Sequence, residues 1–195
     1  MRIIFATNNE NKLKEVSKLL ENNIRLITLR DIHYNEEIPE TGITLKANAL
    51  QKAKHISDKF KLDCFADDTG LEIDALDGNP GVYSARYAGE EKIATNNIRK
   101  VLNELKGKQN RLACFKTVIA LVLNDEEYFF EGEIKGNITE MERGKNGFGY
   151  DPIFIPEGYN KTFAEMSLEE KNKISHRGIA VQKLTNFLNT LHHKD

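Results

Sequence analysis

The chain has 195 residues, of which 39% are hydrophobic and 30% are charged, and its net charge is -2. This length predicts a single domain over residues 1–195 that buries a hydrophobic core without disulfide bonds. The slightly acidic balance excludes the basic surface expected of a nucleic-acid-binding protein. The longest aliphatic run, VIALVL, is too short to span a bilayer, and polar residues soon interrupt the first apolar stretch, so neither a membrane span nor a signal peptide is expected. We therefore expect a cytoplasmic protein.

Apolar periodicity predicts alternating strands and helices in the first half of the chain. A buried strand is expected over residues 2–6, followed by the polar turn TNNEN and a helix from Lys12 to Leu20. A second strand is expected over 24–29, and a helix rich in Ala, Leu and Lys over 44–60. The segments CFA and LEIDAL then predict two short strands on either side of a turn at Asp67-Asp68-Thr69-Gly70.

The second half predicts a helix over 95–105 and two long strands, over 112–123 and 128–138, that NDEE joins as a hairpin. Ser167 and Glu170 form a capping-box pattern, which marks a helix start. A last helix is expected over 175–191, and the HHKD tail is expected to be a frayed, solvated end instead of a metal site. Together these elements predict an α/β fold with a mixed twisted sheet and flanking helices.

Two polar segments carry groups suited to binding anions or metals. In TNNENK a strand ends and a helix begins with Lys12 in its first turn, so backbone N–H groups and an ammonium are available to an anion. A plain helix cap by Asn9 or Asn11 is the alternative. Glu40 lies on a tight loop in PETG, where a solvated surface carboxylate is the alternative.

The adjacent carboxylates of Asp67 and Asp68 repel each other, so a positive group is expected beside them. On an extended backbone neighbouring side chains point to opposite faces, so one aspartate can support the turn while the other faces a ligand. Carboxylates suit Mg²⁺, which takes one or two of them and completes its coordination with water and phosphate oxygens. A simple Asx turn is the alternative.

A further segment combines an aromatic ring with hydrogen-bond donors. Phe148 lies between two glycines, where its ring can stack on a planar partner such as a nucleobase. Lys171, His176 and Arg177 supply donors near a helix junction. A core ring and solvated helix-start residues are the alternatives.

Five segments, taken in order, closely resemble the Ham1/inosine triphosphatase family, whose members are noncanonical purine nucleoside triphosphate pyrophosphatases. They run from about residue 5 to about residue 180 and read FATNNENKLKEV, PETGITLKANALQKA, FADDTGLEIDALDGNPGVYSARYAG, GFGYDPIFIP and TFAEMSLEEKNKISHRGIA. The resemblance implies an α/β fold of two lobes around a long central cleft, and a homodimer. It also implies Mg²⁺-dependent hydrolysis of ITP, dITP and XTP to the monophosphate and pyrophosphate, which removes deaminated purines from the nucleotide pool.

The resemblance further implies roles for individual residues. Asp68 matches the proton acceptor and, with Glu40, the metal-binding acids, while Asp67 is expected to support the turn. The other matched positions bind the substrate: Thr7, Asn8, Asn9, Glu10, Asn11 and Lys12 at the phosphates, Thr69 through its hydroxyl, and Phe148, Gly149, Tyr150, Asp151, Lys171, His176 and Arg177 at the base and nearby groups. Lys12 and Lys171 are expected to neutralise the leaving pyrophosphate, and the His176-Arg177 region to donate to purine O6 and so disfavour adenine.

Three positions depart from the family pattern. Asn8 replaces a glycine of many members, and asparagine tolerates a positive φ. Thr69 replaces a serine and keeps the hydroxyl. Ala47 replaces a glutamate, which removes a capping-box partner for Thr44, so no role is assigned to this position.

Other functions remain as alternatives. A pyrophosphatase for other modified nucleotides, such as modified pyrimidines, would have a related fold. A phosphatase that works through an aspartyl-phosphate needs a D-x-D-x-T spacing, whereas the two aspartates here are adjacent. A non-catalytic nucleotide-binding protein has the loss of the glutamate at position 47 as its only support.

Overall fold

The computed structural model describes residues 1–20 and 24–192. The chain divides into two compact units. Unit 1 contains Met1–Asp68, Thr117–Gly132 and Arg177–Asp195, and unit 2 contains Thr69–Lys116 and Glu133–His176. Residues 193–195 of the HHKD tail lie outside the described residues. That the chain behaves as a single domain stays a prediction.

The described residues form a mixed α/β fold, as predicted. Its strands are β1 (Arg2–Phe5), β2 (Arg25–Ile27), β3 (Cys64–Ile73), β4 (Pro80–Gly81), β5 (Leu112–Leu123), β6 (Glu126–Ile138) and β7 (Phe154–Pro156). Its α-helices are α1 (Glu10–Leu19), α2 (Leu45–Phe60), α3 (Ala94–Glu104), α4 (Leu168–Ile174) and α5 (His176–His192). The strands form one sheet in the order β2-β1-β3-β5-β6-β7, with β4 paired to β3. The sheet is mixed because β1 pairs in parallel with β2 and β3, whereas β3–β4 and β6–β7 are antiparallel.

The turn predicted at Asp67-Asp68-Thr69-Gly70 is wrong, because β3 continues through all four residues as one ten-residue strand. Local sequence favours a turn there, since Asp, Thr and Gly are typical turn residues. In the folded chain, cations from helices that are remote in sequence lie beside the two aspartates, so an extended backbone can carry both negative charges.

The predicted hairpin between β5 and β6 is present, and its loop is shorter than expected. Only Asn124 and Asp125 connect the strands, so β6 begins at Glu126, two residues before the predicted start. Their φ angles are 50° and 66°. Two consecutive residues with positive φ are typical of the tight hairpin turn whose twist matches that of the strands, and Asn and Asp adopt this conformation more readily than most residues.

In unit 1, successive residues of β1 pack against different helices. Ile4 belongs to a buried cluster that includes Ala49, Ala53 and Ile56 of α2. Ile3 and Phe5 belong to a second buried cluster that includes Val16 of α1 and Ala180, Val181 and Leu184 of α5. Because both faces of β1 are buried, its sequence is continuously apolar and does not alternate.

The two predicted helix starts are confirmed by their caps. The Thr44 hydroxyl accepts a hydrogen bond from the backbone N–H of Ala47 at 3.1 Å, so α2 keeps its cap although residue 47 is not a glutamate. At α4 the capping box is complete, because Ser167 accepts from the Glu170 N–H and the Glu170 carboxylate accepts from the Ser167 N–H.

Unit 2 has its own apolar core, in which aromatic rings pack closely. The ring of Phe115 on β5 lies 4.7 Å from that of Phe154 on β7, centroid to centroid. The segment RGKNGFGYDP, residues 143–152, is the glycine-rich loop. Within it the Tyr150 hydroxyl donates a hydrogen bond to the backbone carbonyl of Ser84 at 2.8 Å. Among the described residues, no helix has both the length and the apolar character needed to cross a membrane.

Candidate active site

The two adjacent aspartates of β3 point to different helices. The residue before them, Ala66, belongs to the buried cluster of α2, and Phe65 belongs to the cluster of α1 and α5. Because side chains alternate along a strand, Asp67 shares the face of Phe65 and Asp68 the face of Ala66. This alternation gives the neighbouring carboxylates different partners.

Asp67 is a buried counter-ion. Its carboxylate lies 3.1 Å from the Lys12 ammonium of α1 and accepts a hydrogen bond from Arg177 Nε of α5 at 3.0 Å. Arg177, only 1% exposed, also pairs through Nη1 with Glu15 of α1. Burial alone would raise the pKa of Asp67, but the positive charges of Lys12 and Arg177 outweigh it and hold that pKa below its ordinary value.

Asp68 lies in a different electrostatic environment. Its Oδ1 is 3.6 Å from the Lys52 ammonium of α2, and its Oδ2 accepts a hydrogen bond from Asn48 Nδ2 at 3.1 Å. Burial raises the pKa of Asp68 and the nearby Glu40 charge adds to this effect, whereas Lys52 opposes it. The net shift is upward, opposite to that of Asp67. Two neighbouring carboxylates with pKa values pushed apart are typical of a site that separates a fixed charge from a proton acceptor.

Lys52 connects Asp68 with the second predicted metal-binding acid. Its ammonium forms an ion pair with Glu40 as well as with Asp68, so the two carboxylates converge on one positive charge. Burial lowers the pKa of Lys52, but the charges of the nearby carboxylates, chiefly Asp68 and Glu40, together raise it by more than burial lowers it. The net shift is upward, so the ammonium stays protonated. The described residues contain no group of three or more His, Cys, Asp or Glu side chains that could hold a metal ion. Two carboxylates match a cation that takes its other ligands from water and phosphate oxygens.

The turn before α1 has the helix cap that was the alternative to an anion site. Asn9 Oδ1 accepts hydrogen bonds from the backbone N–H groups of Asn11 and Lys12 at 3.0 and 3.2 Å. The Thr7 hydroxyl in turn accepts from the Asn9 N–H at 3.1 Å. The phosphate role of this turn stays a prediction, and its Lys12 contacts Asp67.

Asn8 and Glu10 contact residues outside this turn. Asn8 Nδ2 donates to the Glu36 carbonyl at 3.3 Å, and its φ is not positive, so the tolerance expected of asparagine is not needed here. The Glu10 carboxylate forms an exposed ion pair with Arg30. The structure therefore does not bring Glu10 together with the buried acids.

In unit 2 the glycine-rich loop is fastened by one carboxylate. Asp151 Oδ2 accepts hydrogen bonds from the Phe148 backbone N–H at 2.8 Å and from the Lys171 ammonium at 2.5 Å. The same ammonium lies 4.8 Å from the centroid of the Phe148 ring, which is half-buried. Gly147 is required for this arrangement, because a Cβ at that position would lie 2.1 Å from Asp151 Oδ2 and its φ is +72°. The structure thus groups Lys171 with the loop.

The remaining predicted residues fall in separate places. His176 is 2% exposed and stacks on Phe115, with centroids 4.6 Å apart and an interplanar angle of 12°. It belongs to unit 2, whereas Arg177 belongs to unit 1. Nε and Nη1 of Arg177 donate hydrogen bonds to the carboxylates of Asp67 and Glu15. Thr69 is half-buried on β3, and Gly149 has a φ of +60°. Contact of Thr69 with the substrate, and of the other residues with the base and nearby groups, stays a prediction.

Sequence reasoning missed three buried polar residues: Glu15, Asn48 and Lys52. Each is buried together with apolar neighbours of its helix: Glu15 with Val16 on α1, and Asn48 and Lys52 with Ala49 and Ala53 on α2. A polar residue inside a helix's apolar stripe is the available signal, because burying it requires a partner.

Proteins of one family are similar to the chain over nearly its whole length. A family model described as the Ham1 family matches residues 3–187. A dITP/XTP pyrophosphatase of Flavobacterium johnsoniae is 54% identical over 188 residues, which are 96% of this chain and 98% of that protein. Its counterpart from Bacillus subtilis is 48% identical over 189 residues, which are 95% and 96% of the two chains. The solved structure of a HAM1 protein from Coxiella burnetii matches with a TM-score of 0.89 and 40% identity, and covers 97% of this chain and 99% of that one. The chain therefore belongs to the Ham1 family.

Proposed function

We propose that this chain hydrolyses noncanonical purine nucleoside triphosphates, namely ITP, dITP and XTP, to the monophosphate and pyrophosphate, with Mg²⁺ as its cofactor. Family membership supports the reaction, since the relatives from F. johnsoniae and B. subtilis carry the name dITP/XTP pyrophosphatase. The arrangement of acids and lysines in unit 1 supports it independently.

The observation that carries the proposal is the different surroundings of Asp67 and Asp68: Asp67 pairs with Lys12 and Arg177, whereas Asp68 converges with Glu40 on the Lys52 ammonium. Asp67 is held ionised by Lys12 and Arg177, whereas burial raises the pKa of Asp68. A proton acceptor works best when its pKa lies nearer the working pH than that of a free aspartate. Asp68 is therefore the catalytic base in this proposal, and Asp67 fixes the cations beside it.

Glu40 and Asp68 are the residues that would hold Mg²⁺. They fit it because both carboxylates already converge on one positive charge, that of Lys52. When bound, Mg²⁺ supplies neutralisation of phosphate charge and a lower pKa for a coordinated water.

The residues of the chain perform the other parts of the reaction. A water attacks the α-phosphorus, its proton passes to the Asp68 carboxylate, and the bond from the α-phosphorus to the bridging oxygen breaks as pyrophosphate leaves. The ammonium groups of Lys12 and Lys52 stabilise the negative charge that develops on the phosphate oxygens. Lys12 is fixed for this by its contact with Asp67.

The glycine-rich loop of unit 2 is the proposed base-binding element. Phe148 stacks on the purine, and Asp151 with Lys171 fixes the backbone of the loop. Stacking adds affinity for any purine without choosing among them, so the preference for ITP over ATP depends on hydrogen bonds to O6 and N1. The contact of Lys171 with Asp151 supports a place for this lysine at the base end instead of at the pyrophosphate.

Pyrophosphate release from ITP, dITP, XTP, ATP and GTP, with Mg²⁺ and with EDTA, tests the proposal. We expect Mg²⁺-dependent release from the first three and little from ATP or GTP. Orthophosphate as the product would favour a phosphatase, turnover of modified pyrimidines would favour a related pyrophosphatase, and nucleotide binding without turnover would favour a non-catalytic binding protein. The cytoplasmic location and the homodimer belong to the same proposal, and light scattering of the purified protein tests the dimer.

A further inference from the structure

Asn48 connects Asp68, one of the two acids proposed to hold the cation, with the loop that carries the other, Glu40. It is 1% exposed, and its Oδ1 accepts a hydrogen bond from the Gly42 backbone N–H at 2.7 Å. Its Nδ2 donates to Asp68 Oδ2 at 3.1 Å. Gly42 is two residues after Glu40, so one carboxamide connects the loop of Glu40 with the carboxylate of Asp68.

The chemistry of the carboxamide fixes the direction of this bridge. A backbone N–H only donates, so the oxygen of Asn48 must face Gly42 and its NH₂ group must face Asp68. One oxygen of Asp68 is thereby occupied by Asn48, and the other, Oδ1, lies 3.6 Å from the Lys52 ammonium. Asn48 and Lys52 are one helical turn apart on α2, so a rigid element carries both contacts.

We propose that Asn48 is a positioning residue that sets the orientation of the Asp68 carboxylate relative to the Glu40 loop. This inference rests on the proposed function for its catalytic consequence, whereas the orientation itself is a property of the protein without substrate. A loosely held base costs rate because the reacting groups are aligned for a smaller share of the time.

The same loop offers a matched control. Gln51, also on α2, accepts a hydrogen bond from the Thr41 N–H at 2.9 Å and donates to the Thr41 hydroxyl at 3.0 Å. Gln51 therefore fastens the loop to the helix, as Asn48 does, and none of its hydrogen bonds described here reaches Asp68. Asn48→Asp is the complementary variant, because it keeps an acceptor for Gly42 and, when ionised, replaces the neutral donor to Asp68 by a second negative charge.

The test compares kcat and KM for ITP, together with the melting temperature, in Asn48→Ala, Asn48→Asp and Gln51→Ala. We expect both Asn48 variants to lower kcat by about 10- to 100-fold with KM within about threefold of wild type. Gln51→Ala should change kcat by less than about threefold. Equal losses in Gln51→Ala and Asn48→Ala would reduce Asn48 to a loop tether, and full activity of Asn48→Asp would remove the role of its donor.

Crystal structures of the wild type and Asn48→Ala give a readout that does not depend on turnover. We expect the Asp68 carboxylate to rotate or to become disordered in the variant while α2 is unchanged. An Asp68 carboxylate that keeps its wild-type orientation in Asn48→Ala would overturn the inference, even if the wild type is active. An inactive wild type would refute the proposed function and leave this structural readout to decide the role of Asn48.

Discussion

Replacing each of the adjacent aspartates by asparagine should have opposite consequences, although the two changes are chemically identical. Asp67→Asn removes the charge that neutralises Lys12 and Arg177, whose contacts with it measure 3.1 and 3.0 Å. Arg177 is fully buried, so water cannot solvate its charge when Asp67 is removed. Asp68→Asn removes a carboxylate that burial already makes costly to ionise, as its raised pKa shows.

The magnitudes follow from these environments. Removing one partner of a buried ion pair costs about 3–5 kcal/mol, so Asp67→Asn should lower the free energy of unfolding by that amount. At about 2–4 °C per kcal/mol for a chain of this size, the melting temperature should fall by roughly 6–20 °C. Asp68→Asn should stay within about 1 kcal/mol of wild type, because the neutral form avoids the desolvation cost and the Lys52 ammonium keeps Glu40 as its partner. At the same time kcat for ITP should fall by at least about 100-fold.

The pH dependence has opposite signs for the two residues. The pKa of Asp67 is below its ordinary value in the folded protein, so its stabilisation is complete above about pH 4 and is lost as the pH falls further. The pKa of Asp68 is raised, so ionising it opposes folding, and its contribution improves as the pH falls through that raised value.

Urea unfolding followed by far-ultraviolet circular dichroism measures the stability of both variants at pH 7, and a series at lower pH measures the pH dependence. An Asp67→Asn variant as stable as the wild type would show that Lys12 and Arg177 do not depend on Asp67. An Asp68→Asn variant less stable than Asp67→Asn would show that the roles of the two aspartates are reversed.

Four further substitutions test other parts of the site. Phe148→Ala should raise KM for every purine nucleotide by a similar factor, about 5- to 150-fold, because stacking contributes about 1–3 kcal/mol per base whatever the base. Gly147→Ala should raise KM and lower stability, because its Cβ would lie 2.1 Å from Asp151 Oδ2. Gly149→Ala would place its Cβ with nothing within 4 Å, so it should cost only the strain of a positive φ, about 1–2 kcal/mol. Lys52→Met should lower kcat/KM for ITP by about 100-fold or more, because it removes the charge on which both acids converge.

Each of these substitutions has an outcome that would contradict its reasoning. A Phe148→Ala variant that changes the ratio of ITP to ATP turnover would give the ring a part in selectivity. Equal effects of alanine at positions 147 and 149 would remove the close contact as the cause. For Lys52→Met the control is Lys54→Met, because the Lys54 ammonium forms a half-exposed ion pair with Glu127. Similar losses of activity in both variants would indicate a general effect of charge.

Local sequence patterns were sufficient for most helices and strands. Thr44 predicts the start of α2, because a hydroxyl at that position satisfies a free backbone N–H whatever lies around it. The Ser167–Glu170 pattern predicts α4 for the same reason. The turn expected at Asp67-Asp68-Thr69-Gly70 failed because its outcome depends on partners that are remote in sequence.

The acids of the site could be predicted from local sequence, whereas their buried polar partners could not. Glu40 and Asp68 were identified from motifs, but the residue that joins them, Lys52, was read only as part of a helix. Glu15 and Arg177, which pair through their side chains, are separated by 162 positions in the sequence. A pattern within one helix gives no information about such a contact.

By itself the sequence determined the helices and most of the strands, the family, and which segments carry the acids and the glycine-rich loop, because these depend on residues close together in the chain. Only the tertiary structure decided which of two identical neighbouring carboxylates pairs with Lys12 and Arg177 and which faces Lys52 and Asn48. The reason is that successive side chains of β3 face different helices, and the charges on those helices, together with burial, set the pKa of each aspartate.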